Sequence, residues 1–466
     1  MNRRWLVLLV TSLGVYMVFL DGTIVNIAFP AIRHSFPGAS LATLSWVLNA
    51  YSIVFASLLL ASGRVADLVG RRRVFYVGML VFCAGSALCG AAPTDGVLIA
   101  ARAVQAIGAA LMLPASLALV LAEFPSSMRA TAVGVWGAVG AVAAASGPSL
   151  GGLIVDRVDW RWVFYVNIPV GIVAWLAGRR LLREARDESA TRWPDAVGVA
   201  LVTLAVGALS LAIVQGTDWG WGDPRIVAAF VTAAVLVPVV VLRAARHPAP
   251  VLDLALFRVR SFAVANVATV LFATAFSAML LSGVLFLTGV WHYSILQAGL
   301  AVSPGPLFAA AFAPPAGRLA DRFGHRAVLV PGALVFALGI ALYLTRVTVV
   351  PDYVGTWLVA ACITGMGVGL TLPTLGSSAA ASLPATRFAA GSAVSNTSRQ
   401  LGTVLGVSLL VVVLGSITPG TALAAFQRGW TLMLALAAAT ALVCVVMGST
   451  RVRRTVVEPA AQVSGS

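Results

Sequence analysis

Apolar runs long enough to cross a bilayer as helix recur from Trp5 almost to the end of this chain. Crossing about 30 Å of hydrocarbon takes roughly 20 residues. Inside lipid every backbone polar group must find its partner within the chain, and a helix meets that demand one segment at a time. The pattern therefore predicts an all-α membrane protein. Composition agrees, since 60% of the residues are hydrophobic and 10% charged, against roughly 45–50% and about 25% in soluble domains. The mean hydropathy is +0.97. The runs are too many for a signal peptide ahead of a secreted domain. Polar connections are short, the longest lying around Arg179 to Arg192, so no loop holds an independent soluble domain.

Hydropathy predicts about fourteen spans, from Trp5–Phe29 to Thr431–Gly448, with span six over Trp162–Arg179 and span ten over Ala298–Gly317. An even count puts both termini on one side. Arg placement gives the side, because basic residues beside spans are retained in the cytoplasm. One set of connections holds Arg3, Arg4, Arg71 to Arg73, Arg129, Arg179 to Arg192, Arg243 to Arg260, Arg318 to Arg326, Arg387 and Arg451 to Arg454. The other holds Arg33, Arg157, Arg161, Arg225, Arg346 and Arg428. The first set, with both termini, is expected in the cytoplasm of a bacterial cell, around a multi-pass protein of the cytoplasmic membrane.

The net charge of +15 is read as this topology signal and not as a nucleic-acid surface. All 31 basic side chains are Arg, which excludes a Walker A lysine and a lysine Schiff base. Cys83, Cys89, Cys362 and Cys444 lie in apolar segments without metal-ligand spacing. No paired acids or nucleophile–base arrangement is placed at membrane depth, so the chain reads as no enzyme, with no metal and no cofactor.

A ten-residue pattern occurs twice: Gly63-Arg64-Val65-Ala66-Asp67-Leu68-Val69-Gly70-Arg71-Arg72 after span two, and Gly317-Arg318-Leu319-Ala320-Asp321-Arg322-Phe323-Gly324-His325-Arg326 after span ten. Matching spacing on the same side of the membrane predicts two like-oriented halves. The expected organisation is a six-helix bundle over 1–182, a linker with two inserted spans over 183–258, a second bundle over 259–450 and a cytoplasmic tail over 451–466.

Further stretches run in order: Leu20-Asp21-Gly22-Thr23-Ile24-Val25-Asn26, then Trp46-Val47-Leu48-Asn49-Ala50-Tyr51, Arg102-Ala103-Val104-Gln105, Gly147-Pro148-Ser149-Leu150-Gly151-Gly152, Trp160 to Gly171, and Arg399-Gln400-Leu401-Gly402. With these motifs the chain resembles the major facilitator superfamily, and within it the fourteen-span drug:proton antiporters. Where the family pattern has Gly, Ala106 stands here. The resemblance implies two rocking bundles around a central cavity, export of small lipophilic drugs or antibiotics driven by a proton gradient, and a monomer. It also implies that Asp67 latches the halves on the cytoplasmic face, together with Gly63, Gly70, Arg71 and Arg72 and the second copy at Gly317, Asp321 and Gly324. Gly147, Pro148, Gly151 and Gly152 would shape the gate and limit proton leak.

Asp21 is the carboxylate placed deep in the hydrocarbon, where a charge is costly unless paired, hydrated or protonated. Counting along spans one and four at about 1.5 Å per residue puts Asp21 roughly 12 Å and Arg102 roughly 8 Å inside the outer boundary, so the two can meet. Two readings fit, a switchable proton site and a permanent structural ion pair; the resemblance supports the first. Arg399 is expected to snorkel from the cytoplasmic half of span thirteen. Asn26, Asn49, Gln105, Asn266 and Asn396, with Trp46, Tyr51, Phe262 and Phe272, are candidates to line a greasy cavity. A lone deep acid points to neutral or singly cationic cargo rather than dications. A metabolite symporter and a non-transporting sensor are the alternatives, the first needing more fixed polar groups and the second signalling domains.

Overall fold

The computed structural model describes residues 2–125, 128–185, 193–247, 254–381, 383, 388–415 and 420–447. Arg387, Arg451 to Arg454 and the 451–466 tail lie outside them, as do 186–192 and 248–253 of the linker. The described residues form no strand; besides two short helical turns at Leu254–Arg258 and Tyr353–Trp357, they form sixteen α-helices. They are α1 (Arg3–Ser35), α2 (Leu41–Val69), α3 (Arg71–Gly90), α4 (Asp95–Glu123), α5 (Arg129–Arg157), α6 (Trp162–Tyr165), α7 (Asn167–Leu181), α8 (Ala196–Trp219), α9 (Pro224–Arg246), α10 (Arg260–Gly289), α11 (Ile295–Val302), α12 (Pro304–Phe323), α13 (Arg326–Arg346), α14 (Leu358–Ala381), α15 (Phe388–Leu414) and α16 (Ala422–Val445). Fourteen segments among them are long and apolar enough to cross a membrane. α6 with α7, and α11 with α12, each make one span.

Helix ends follow local chemistry. Ser40 and Thr94 cap α2 and α4 by accepting from the backbone N–H of Thr43 and Val97, each satisfying an otherwise orphaned donor. Ser294 and Gln297 form a reciprocal capping box at α11. The break between α11 and α12 falls before Pro304, which has no N–H to continue the ladder. Several helices overrun their hydropathy-predicted spans, α12 for example continuing past Gly317 to Phe323. α1 runs on past Phe29 through Arg33 to Ser35, and α16 starts at Ala422, before Arg428. Charged residues close a hydropathy window without ending a helix.

α1 to α7 and α10 to α16 build two six-span bundles, with α8 and α9 as the inserted pair. The bundles meet where α2 packs on α15, α1 on α10, and α5 on α11 and α12. α8 packs on α9 and on both α2 and α15, so the inserted pair covers one of the two seams between the halves. Ala42, Val214 and Val411 form its buried contact there, with Trp46 packed beside them. α9 turns Val231, Val235 and Leu242 outward, as suits a lipid-facing helix. Asp195 closes the α8–α9 hairpin: it caps α8 through the Gly198 N–H and accepts from Arg243 Nε at 2.8 Å and Arg243 Nη2 at 2.7 Å. Arg243 beside it holds the Asp195 carboxyl below the usual carboxylate range.

Candidate functional site

The near face is taken here as the one holding the start of α1 and the end of α7. Just past the midpoint of α1 counted from it, Asp21 is fully buried. Arg102, on the neighbouring α4, is equally buried and donates through Nη1 to Asp21 Oδ2 at 2.5 Å. One turn further, Gln105 donates through Nε2 to Asp21 Oδ1 at 2.8 Å. Gln105 Oε1 in turn accepts from Arg102 Nη1 at 2.7 Å. Residues three apart share a helix face, so the Arg102 to Gln105 spacing aims both donors at one carboxylate. Arg102 Nε donates to the Val47 carbonyl at 3.0 Å. Ser86 extends the network: it accepts from Gln105 Nε2 and Asn167 Nδ2 and donates to the Phe164 carbonyl. The acid thus has both oxygens matched by donors, which is what makes a buried charge tolerable.

A cavity of about 490 Å³ lies between the halves beside this network, within the usual range of small-molecule sites. Its wall is mainly apolar and aromatic, with Phe19 and Phe55 from the first half and Phe276, Trp357 and Trp430 from the second. Asn26 and Tyr51 line it as the sequence predicts. Asn26 turns its Nδ2 onto the Gly22 carbonyl at 2.9 Å. The Tyr51 ring centroid stands 4.1 Å from the Arg102 guanidinium carbon, a cation–π contact that ties the ion pair to the cavity wall.

The other cavity candidates are placed elsewhere. Phe272 packs on Phe336 and Phe262 on Phe257, both in the core of the second half. Asn266 bonds the Phe262 carbonyl and accepts from Ser398, joining α10 to α15. Trp46 lies at the α8 seam. Asn49 donates to Ser408 at 3.3 Å across the interface of the halves. Gln105 belongs to the Asp21 network, and Asn396 accepts from Arg399 Nη2 at 3.1 Å. Hydropathy gives the depth of each residue but not the helix rotation, and rotation separates cavity from core.

Arg399 corrects the snorkelling expectation. With Gln400 and Thr403 of α15 it lines the cavity, its guanidinium carbon 5.8 Å from the Phe19 ring centroid. The aromatics Trp357, Trp430 and Tyr343 were not singled out from the sequence, because aromatic residues inside apolar runs carry no mark of which face they take.

On the far side the halves are sealed by close packing. Between the halves, a Cβ on Gly299 would overlap the Pro148 carbonyl oxygen, while within the first half one on Gly147 would overlap the Thr23 hydroxyl of α1. Gly152 faces the Ile295 carbonyl, where a Cβ would stand 3.0 Å away. Gly151 packs on Ile24 and Ile27. Small residues permit such approach in lipid, and Pro148 lies in an unbroken α5. Ser149 and Ser303 face each other at 2.5 Å between their hydroxyl oxygens, tying α5 to the second half.

The repeated loop places Asp67 against Arg71 of its own half, Arg71 Nε donating to Asp67 Oδ1 at 3.0 Å. Gly70 follows with φ 121°, and Gly324 holds the equivalent turn with φ 89°. Gly63 lies beside Pro114, and Gly317 faces open space. The Asp321 side chain lies outside the described residues. Arg72 turns its guanidinium over Tyr76, 5.6 Å from the ring centroid. Glu184, beyond the end of α7, accepts from the backbone N–H of Arg72 at 3.0 Å and of Arg73 at 3.3 Å. It neutralises orphaned donors at the start of α3.

The sequence model of the Major Facilitator Superfamily matches residues 11–268 and 267–465. The chain is 36% identical over 420 residues to Multidrug resistance protein Stp of Mycobacterium tuberculosis, covering 89% of this chain and 77% of that protein. It is 38% identical over 426 residues to Puromycin resistance protein pur8 of Streptomyces alboniger, covering 88% and 82%. With the Tetracenomycin C resistance and export protein of Streptomyces glaucescens it shares 32% over 417 residues, covering 89% and 77%. Among solved structures, a peptide transporter POT in complex with sulfate superposes with a TM-score of 0.66 at 18% identity, over 96% of this chain and 95% of that one. A bacterial homologue of the human drug peptide transporters PepT1 and PepT2 gives 0.66 at 16%, over 95% and 97%. These two likenesses are of fold.

Proposed function

Because this chain belongs to the Major Facilitator Superfamily, we propose that it is a drug exporter of a bacterial membrane that expels small lipophilic compounds in exchange for protons. It is a transporter and not an enzyme. The relatives named for multidrug, puromycin and tetracenomycin C resistance supply the efflux reading. The observation that carries its mechanism is the buried Asp21–Arg102 pair touching the wall of a greasy cavity through Tyr51.

The near face is cytoplasmic by the placement of Arg, and both termini lie there. Hydrogen bonds across the halves at Asn49–Ser408 and Ser149–Ser303, and the close contacts of Gly152 with Ile295 and of Gly299 with Pro148, all sit toward the far side. That pattern fits a carrier closed to the outside, with Asp67 engaged within its own half and the cytoplasmic latch unmade. Asp21 is the proton carrier. In this state Arg102 and Gln105 occupy both its oxygens; when the bundles rock and Arg102 withdraws, the freed carboxylate is the group that takes up a proton from outside. Return to the inward state restores the pair and releases the proton to the cytoplasm. No cofactor is required, the gradient supplying the energy, and the carrier works as a monomer.

The reading is tested by expressing the chain in a pump-deficient host and measuring drug accumulation across many compound classes. Lower accumulation that an uncoupler reverses is expected. Unchanged accumulation of every compound at verified membrane expression contradicts it.

A further inference from the structure

The cavity wall is unbalanced in charge and in hydrogen-bonding character. Arg102 and Arg399 both line it, and among the described residues no carboxylate does. Arg102 is neutralised by Asp21 behind it. Arg399 has no acidic partner among the described residues; its contacts there are the neutral Asn396 carbonyl oxygen and the Phe19 ring. A guanidinium facing a greasy cavity without a counter-ion is costly, and it offers five N–H donors to whatever enters.

Two other donors on the same wall are also unused. The Tyr51 hydroxyl and the Trp357 indole nitrogen are buried and have no hydrogen-bond partner among the described residues. Tyr51 belongs to the first half and Trp357, like Arg399, to the second. Phe19, Phe55 and Phe276 supply flat apolar surface between them. An occupant that satisfies this wall brings acceptors, carries negative charge and has an aromatic or otherwise apolar body.

We propose that the cargo is a lipophilic organic acid, a carboxylate, phenolate or enolate on an apolar body, whose anionic oxygen pairs with Arg399 while Tyr51 and Trp357 donate to its remaining acceptors. The proposal rests on the export reading above and names the substrate class of that cavity. It turns the expectation of neutral or singly cationic cargo around, since a cation meets two guanidinium groups and no exposed acid. It also adds a driving force: with the cytoplasm electrically negative, an outgoing anion moves down the membrane potential while an incoming proton does the same.

The test uses the purified full-length carrier in lipid nanodiscs and a matched trio of probes on one anthracene scaffold, bearing a carboxylate, a methyl ester or a trimethylammonium group. Binding is read from probe fluorescence. The parent is expected to bind the carboxylate at least tenfold more tightly than the ammonium, with the ester between. In Arg399→Gln the affinity ratio of carboxylate to ester is expected to fall about tenfold, and in Arg399→Lys to be largely restored. Equal or tighter binding of the ammonium by the parent overturns the proposal, as does an equal loss for all three probes in Arg399→Gln, or no measurable carboxylate binding. Drug accumulation in cells is independent of this ranking, so the export reading can stand while the charge preference fails.

Discussion

Asp21 and Arg102 meet at 2.5 Å with essentially no exposure to solvent, and Gln105 takes the carboxylate oxygen that Arg102 leaves. Such a pair is tolerated in lipid because both carboxylate oxygens and the Arg102 Nε and Nη1 have partners, so removing one member strands the other. Arg102→Ala is expected to lower stability by about 3–5 kcal/mol. The double change Asp21→Asn with Arg102→Gln, which leaves no buried charge, is expected to recover most of it. Thermal unfolding of detergent-purified variants checks the order; a double variant no more stable than Arg102→Ala contradicts it.

The hydroxyls of Ser149 and Ser303 touch across the far-side seal. Ser149→Cys with Ser303→Cys is expected to cross-link on mild oxidation and to stop export, with reductant restoring both the free thiols and transport. A cross-linked carrier that exports at the parent rate would mean that α5 and α12 need not part during the cycle.

Asp195 anchors the inserted pair, and the hydrogen bonds from Arg243 hold its carboxyl below the usual carboxylate range. A depressed pKa gives stability that is present above the unfolded value and lost as pH falls through the folded value. Asp195→Asn keeps the cap on Gly198 but gives up the charged bonds, expected to cost about 1.5–3 kcal/mol at neutral pH. The gap between parent and variant is expected to close only as pH drops below about 4. A gap that persists unchanged into more acidic solution rules out the charge as its origin.

At Gly70 the φ of 121° and the Glu184 carboxylate, 2.7 Å from where a Cβ would stand, both exclude a side chain. Gly70→Ala is expected to cost about 1–3 kcal/mol and to loosen the α2–α3 turn. Hydrogen exchange at the Arg72 and Arg73 amides, which Glu184 holds, reports that loosening directly. Unchanged protection there would show that the turn tolerates a Cβ.

Much of the fold was legible because lipid leaves the chain few choices: span count, like-oriented halves and the inserted pair all follow from apolar runs and a repeated Gly–Asp–Gly loop. The Asp21–Arg102 meeting was legible too, since charges inside apolar spans are rare and depth can be counted. Rotation was not. Phe262 and Phe272 face the core while Phe19, Phe55 and Phe276 face the cavity, and a helix that is apolar all round gives no periodic signal to tell them apart. For the same reason the sequence shows Arg399 reaching for the interface and not that it faces the cavity. Glu184 was hidden differently, because a loop acid reveals its role only once the fold brings it to the start of α3.

The account stands most directly on proton-coupled efflux by the Asp21→Asn variant in everted membrane vesicles. Uphill drug uptake into vesicles carrying the parent chain is expected to collapse with an uncoupler, and the variant is expected to retain drug binding but to lose uphill transport. A variant that still accumulates drug at the parent rate, and still responds to the uncoupler, would contradict the assignment of Asp21 as the proton carrier.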